Sequence, residues 1–343
     1  YLIFNKKDCE CLHVRYESIN FYIIITALFK YGIRNFKDNY KLCFLKAVSP
    51  KVVFTLIDNN PAFYKLKYIY SKAIYVSIQI SARNNVFFDL CENYYLNSKN
   101  KKLRADYIFV IGKNDIERFS KIIESKIDCL GSVKNNYFYI KKNQQKLKEI
   151  NSILFISTKN KLTNFIKEEK IVFNELYKFC EKSNYKLSIC TKNDSEHEKI
   201  YRKNLIKGSW NYLSYINMEN TYNLINNSQL VVFTNSTLGV EALTKKIRGA
   251  AFPTKLFPLK GYAKKYPEVG PFWSCNFNSK SMEDNLSKSL EDILQKVIKY
   301  TNSEWEKIIE EYIADMVEYD ERNSKLIKLA QNYNLPLKNS LFS

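Results

Sequence analysis

The stretch at residues 230–243, LVVFTNSTLGVEAL, holds the residues best suited to gripping an anion. An apolar run ends at Thr234, and Asn235, Ser236 and Thr237 then supply an amide and two hydroxyls where a helix would begin. Free backbone N–H groups and the helix dipole at such a point favour a phosphate. A plain N-cap is the competing reading, since Ser and Thr serve equally well there. Gly239 keeps the first turn slim enough for a ligand or a neighbouring strand to come close. Glu241 lies one turn further in, on a face from which a carboxylate could reach ribose hydroxyls.

A second group surrounds a carboxylate. In residues 55–64, TLIDNNPAFY, Asp58 follows directly on an apolar run and could act as a base or a nucleophile. It could equally cap a helix that starts at Pro61. In residues 78–85, IQISARNN, Gln79 and Arg83 again follow a strand-like run, and the planar fork of Arg suits a carboxylate or phosphate. Residues 130–136, LGSVKNN, offer Ser132 in a Gly-Ser turn and Lys134 two residues on. Residues 270–275, GPFWSC, form an aromatic loop; Trp273 and Tyr266 would either wall a cleft or, the favoured reading, fill a core.

These groups can act together only if strands end where they stand. Apolar runs at 51–57, 73–80, 107–111, 153–157, 186–190, 230–234 and 249–252 read as strands. Helical spacing occurs at 61–70, 114–125, 168–184, 220–226 and 238–245, and almost continuously over 281–332. Strand–helix alternation of this kind builds parallel sheets covered by helices. A polar, Lys/Gln-rich segment at 141–149 interrupts the rhythm. The fold class expected is therefore α/β, with two Rossmann-like domains facing a cleft and a helical C-terminal tail. The first domain would span 1–145 and could lack its first strand; the second would span 146–300; the tail, 301–343, would pack back on the first. Ligands of such sheets sit at the carboxyl ends of the strands, which puts the site in the cleft.

Composition narrows the classes. With 343 residues, 45% hydrophobic, and only 8 Gly and 7 Pro, the chain can bury two cores and is neither disordered nor collagen-like. The net charge of +19 rests on 54 Lys and Arg, of which just 8 are Arg. Nucleic-acid readers lean on Arg forks, and no basic block here is long enough to form an arm. The excess reads mainly as Lys-rich composition, with a smaller part left to attract anionic lipid or an acidic substrate. Eight scattered Cys, no CxxC and two His leave no zinc spacing, and the cysteines read as reduced thiols of a cytosolic protein. His13 and His197 read as structural or surface residues. The apolar run at 21–29 is too short to span a bilayer. The chain begins at Tyr1, as a fragment or a processed product would. GxGxxG, GxxxxGK[ST] and Asp-x-Asp are all absent, so the dinucleotide and P-loop fingerprints and the usual metal-bridging pair are missing.

Several of these pieces together resemble one family. IDNN-x-x-FY, IQ-x-x-x-R, GS-x-x-NN, TNSTLG-x-EAL and GPFW, with YDERN at 319–323, look like bacterial surface-carbohydrate (polysaccharide and O-antigen) biosynthesis glycosyltransferases of GT-B architecture. These are related to enzymes that transfer the acidic keto-sugar Kdo from CMP-Kdo. The resemblance runs from about residue 15 to residue 332 and is most specific at 233–243. Relatives commonly read IQNGxR where this chain has Ile80, Ser81 and Ala82. The resemblance implies that Asn235, Ser236 and Thr237 hold the donor phosphate and Glu241 the ribose. Ser132 and Lys134 would reach the same nucleotide, and Asp58, Gln79 and Arg83 would face the transferred sugar as the catalytic set. No metal and no cofactor would be needed beyond a nucleotide-sugar co-substrate, most simply CMP-linked. The acceptor would be a glycan or a lipid-linked glycan, without nucleic acid. The enzyme would work in the cytoplasm, at the inner membrane face, with peripheral contact to anionic lipid. A UDP-sugar or polyol-phosphate transferase of the same fold, or a degenerate carbohydrate-binding relative, are the alternatives.

Overall fold

The computed structural model describes residues 3–13, 18–81, 88, 103–138, 151–157, 163–191, 208–213, 217–234, 236–253, 270–274 and 282–338. Arg83, Asn235, His197, Tyr266, Cys91, Cys275 and the polar segment at 141–149 lie outside them. The chain divides into two compact units. Tyr1–Ile80, Val86–Val133 and Asp320–Ser343 form the first, and Ser81–Asn85 with Lys134–Tyr319 the second.

The first unit opens with two helices, α1 (Phe21–Tyr31) and α2 (Phe36–Val48). Then come β1 (Val52–Thr55), α3 (Pro61–Ile69), β2 (Ile74–Ile78), β3 (Leu103–Val110), α4 (Ile116–Ile122) and β4 (Ile123–Cys129). The strands pair in parallel in the order β1-β2-β3-β4. Parallel strands are covered on both faces, and the two cores follow from the pleat. Tyr75 packs on one face with Phe63, Leu66 and Phe119. Val76 and Ile78 pack on the other with Phe109. On β3 the alternation slips, because Leu103, Ala105, Ile108 and Val110 all face the first core. The register with β4 shifts between Arg104 and Tyr107, so an irregularity re-aims the residues after it. Asp106, inside the shift, accepts from the Tyr75 N–H at 2.7 Å and from Lys67 Nζ at 2.7 Å.

The helix expected over 114–125 is shorter than its spacing suggested. A 3-10 turn at Lys113–Asp115 leads into α4, and strand begins at once with Ile123. From there the period is two: Glu124, Lys126 and Asp128 point outward between Ile123, Ser125, Ile127 and Cys129. Helices α1 and α2 were not foreseen.

The second unit holds α5 (Val133–Tyr137, its first residue counted with the first unit), β5 (Ser152–Ile156), α6 (Thr163–Ser183), β6 (Lys186–Cys190), β7 (Trp210–Leu213) and α7 (Met218–Asn227). It continues with β8 (Leu230–Phe233), α8 (Thr237–Thr244), β9 (Arg248–Ala251), α9 (Met282–Lys299) and α10 (Asn302–Tyr312). Its sheet is parallel throughout, in the order β7-β6-β5-β8-β9. Counted from β5 this is the doubly wound order, in which the direction of winding reverses between the first and fourth strands. The reversal therefore lies between β5 and β8.

The near-continuous helix expected over 281–332 is in fact three. Thr301 and Glu304 form a reciprocal capping box that starts α10 afresh. Left-handed Arg322 and Asn323 then separate α10 from α11 (Ser324–Asn332). Helix α11 belongs to the first unit, where Leu326 and Leu329 pack beside Val76, Ile78 and Phe109. Among the described residues no helix is long and apolar enough to cross a membrane, and no cluster of His, Cys, Asp or Glu could hold a metal. Six described cysteines are free thiols.

Candidate functional site

In the first unit the polar residues gather just past the carboxyl ends of β1, β2 and β3. Asp58 is 0% exposed. It is not the cap of α3: Asn60 takes that place, its side chain accepting from the Ala62 N–H at 3.0 Å. The Asp58 carbonyl accepts from the Tyr64 hydroxyl at 2.6 Å, and that hydroxyl lies 3.0 Å from Ser77 Oγ. Gln79 is also fully buried. Its Nε2 donates to Asp115 Oδ2 at 2.7 Å, and its Oε1 accepts from the Ile111 N–H at 2.9 Å. Gln79 thus ties the end of β2 to the turn after β3. Arg118 donates to the other Asp115 oxygen at 3.2 Å and stacks its guanidinium 3.9 Å from the Phe88 ring centre.

Burial raises the Asp115 pKa above the ordinary carboxylate value, the Gln79 bond and the Arg118 charge oppose the rise, and the negative charge of Asp58 adds to it. Two buried carboxyl groups that feel one another can be held in different protonation states, which is what acid–base chemistry needs. Sequence reasoning named Asp58 and Gln79 but passed over Asp115 and Arg118. Asp115 stands further past its strand, at the end of the 3-10 turn that leads into α4, where an acid before a helix is ordinary.

In the second unit the winding reversal places Ser157, at the end of β5, and Thr234, at the end of β8, on adjacent strands. Both are buried. Ser236 and Thr237 follow, half-buried, at the start of α8. Ser236 is extended (φ −95°, ψ 124°), and its hydroxyl makes no capping bond to the helix. By its backbone Ser236 thus holds the N-cap position of α8, as the plain N-cap reading expects, but without the side-chain bond that such a cap usually adds. Gly239 admits the neighbouring strand: a Cβ there would lie 2.1 Å from the Phe233 ring.

Glu241 is buried and accepts from the Tyr222 hydroxyl at 2.6 Å. The Tyr222 ring stacks on Phe138, with centroids 5.5 Å apart, and lies 4.5 Å from Lys245 Nζ. Burial pushes the Lys245 pKa down to about 8, with Glu241 pulling the other way. Ser132 is buried in the first unit, just after β4, whereas Lys134 is half-buried on α5 in the second. Next to Lys134, the Asn135 amide donates to Thr244 Oγ1 at 3.2 Å. That contact is at the C-terminal end of α8, roughly 11 Å along the axis from Ser236 and Thr237. Phe272 and Trp273 are core residues, the latter edge-on to Phe233 at 6.2 Å.

Over residues 78–334 the sequence matches the family described as "putative O-antigen biosynthesis protein". The chain belongs to this family. Solved structures share its fold at low identity. A Listeria monocytogenes protein described as a "putative UDP-N-acetylglucosamine 2-epimerase" has a TM-score of 0.57 and 14% identity, covering 87% of this chain and 78% of its own. The UDP-GlcNAc 2-epimerase of Methanocaldococcus jannaschii, solved with UDP-GlcNAc and UDP, gives 0.54 and 13%, covering 88% and 82%. The spinosyn forosaminyltransferase SpnP gives 0.52 and 10%, covering 87% and 80%. Such likeness establishes the fold, two Rossmann-like units with a C-terminal helical segment, as in GT-B proteins. A search of curated proteins gives no sequence match.

Proposed function

We propose that this chain is a glycosyltransferase of O-antigen or related surface-polysaccharide assembly, moving a sugar from a nucleotide donor to a glycan or lipid-linked acceptor. The observation that carries the reading is the set of hydroxyls at the winding reversal of the second sheet. Ser157, Thr234, Ser236 and Thr237 stand where doubly wound sheets bind nucleotides. Ser236, Thr237 and the N-terminus of α8 would take the donor phosphate, and the helix dipole would offset the charge of the leaving group without a metal. Turnover should then persist in EDTA.

Asp58 is the reacting carboxylate in this reading, as base or nucleophile. Asp115 adjusts it electrostatically, and Gln79 and Arg118 position Asp115. The motif resemblance favours a CMP-linked acidic keto-sugar such as Kdo as donor. A UDP sugar is the second reading, supported by the M. jannaschii protein of similar fold that was solved with UDP-GlcNAc and UDP.

Thermal-shift measurements with CMP, CDP, UDP and GDP decide between them. Stabilisation by CMP is the expected result. Stabilisation by UDP but not CMP would move the donor to a UDP sugar, and no response to any nucleotide would overturn the transferase reading. Asp58→Asn should lower turnover by about 10²–10⁴-fold, the range of a lost acid or base, without loss of nucleotide binding. NMR of the product anomer then separates a nucleophile, which retains configuration, from a base, which inverts it.

A further inference from the structure

Helix α1 is apolar on both of its sides, and only one of them is covered. Asn20 caps its start, accepting from the Ile23 N–H at 3.2 Å. Gly32 at φ 67° closes its end, its N–H bonded to the Leu28 carbonyl at 2.8 Å. Ile23 and Ala27 bury one face against Tyr40 and Cys43 of α2. At about 100° per residue, Phe21, Tyr22, Ile25, Leu28 and Phe29 share the opposite face within an arc of roughly 120°. All five are exposed, Phe21 at 76% and Phe29 at 87%, and Ile33 just beyond the helix is 83% exposed. A contiguous apolar patch of large side chains on a well-capped helix marks an interaction surface rather than a stray exposed residue.

The charge of the helix and of the turn and helix that follow it says what the surface meets. Residues 19–48 carry five basic side chains, Lys30, Arg34, Lys37, Lys41 and Lys46, against a single acid. That acid, Asp38, is paired with Lys41 at 3.0 Å. A second copy of the chain would bring this basic border against itself across a two-fold axis and desolvate it. An anionic bilayer complements both features at once: acyl chains take the aromatic and aliphatic face, and headgroups take the border. An 11-residue helix is roughly 16 Å long, enough to lie in the interface and too short to span it.

We propose that α1 is a membrane-surface docking helix, which inserts Phe21, Ile25 and Phe29 among the lipids of an anionic bilayer while Arg34 and Lys37, exposed in the turn after α1 and the first turn of α2, hold the headgroups. This holds whichever sugar nucleotide the second unit takes.

The test is co-sedimentation of the full chain with phosphatidylcholine vesicles, with and without phosphatidylglycerol. The protein should pellet with the phosphatidylglycerol vesicles, less so as salt rises. F21S/F29S should bind at least about 30-fold more weakly with an unchanged melting temperature, because both side chains already face water in the free protein. R34Q/K37Q should reduce the preference for phosphatidylglycerol. The proposal fails if the wild-type chain stays in the supernatant, or if F21S/F29S pellets like wild type. It also fails if ultracentrifugation shows a dimer that F21S/F29S dissolves while vesicles capture neither protein.

Discussion

Gly239→Ala is the sharpest probe of the second unit, because its two possible explanations predict opposite signs. If Gly239 only loosens the first turn of α8, alanine should stabilise the helix by up to about 1 kcal/mol through propensity and lost unfolded-state entropy. The geometry says otherwise. The added Cβ would lie 2.1 Å from Phe233 Cγ and 2.4 Å from both Cδ atoms. Carbon atoms rest at about 3.5–4.0 Å, so ring or helix must move by roughly 1.5 Å. The ring has little room to swing: Phe233 is fully buried, and Trp273 stands edge-on to it. A contact this short belongs at the upper end of the about 1–3 kcal/mol that overpacking costs, which outweighs a propensity gain of up to about 1 kcal/mol and leaves a net loss of about 1–2 kcal/mol. Any shift of α8 also carries Ser236 and Thr237 with it, so nucleotide affinity should fall about tenfold or more. Urea unfolding measures the first effect and nucleotide titration the second. Phe233→Leu in the same chain should relieve the clash, so that the double variant loses less stability than the two single losses combined by about 1 kcal/mol or more. A Gly239→Ala protein as stable as wild type, or strict additivity with Phe233→Leu, would refute the close-packing account.

Two pH predictions follow from the buried ionisable groups. The Asp115 pKa is raised by burial above 3.8, so the folded state favours the protonated acid. The stability that this gives is present at low pH and lost as pH rises through the elevated native value. Asp115→Asn cannot ionise, and its urea midpoint should gain steadily on wild type as pH climbs above 3.8; a pH-independent difference would count against the burial effect. For Lys245 the sign is opposite, because its pKa falls from 10.5 to about 8 on folding. Between those values the unfolded chain holds a proton that the folded chain lacks, so wild-type stability should rise with pH through that window, by at most about 3 kcal/mol. Lys245→Met should lack this rise, and parallel curves for the two proteins would sink the reading.

The inner strands were legible because parallel strands buried on both faces appear as unbroken apolar runs, as IYVSI and LVVF do here. Strand β7, WNYL, was not, because it is short, partly exposed and carries Asn211 among its aromatics. Helix α1 escaped for the opposite reason: with apolar residues on both faces, it has no polar side to give a 3.6-residue contrast. In the candidate site, Asp58 and Gln79 could be picked out because position after a strand is a local property. Asp115 depends on a partner 36 residues away, and the Glu241–Tyr222 bond spans 19 residues. In the one-dimensional pattern, Asp115 looks like any acid at a helix start. Burial, which makes these carboxylates chemically distinctive, is a tertiary fact.

The same distinction between local pattern and tertiary use applies to the charge. Arg is the residue that reads anions by geometry, and the chain has only 8. Among the described residues, three of them are held by partners in their own unit. Arg104 forks onto Glu124 at 2.8 and 2.7 Å, Arg118 holds Asp115, and Arg248 bonds the Tyr300 carbonyl and the Asn302 side chain. The excess of positive charge is therefore carried mainly by Lys, a hydrated point charge that attracts an anionic surface without selecting a shape. Such attraction contributes about 1 kcal/mol per residue near a membrane and weakens with salt. Alone, it would give loose and reversible contact. In the proposed docking, the face of α1 would add a term that salt does not screen, from side chains already standing in water. A surplus of charge that says little when summed over the whole chain would become specific where it follows that helix.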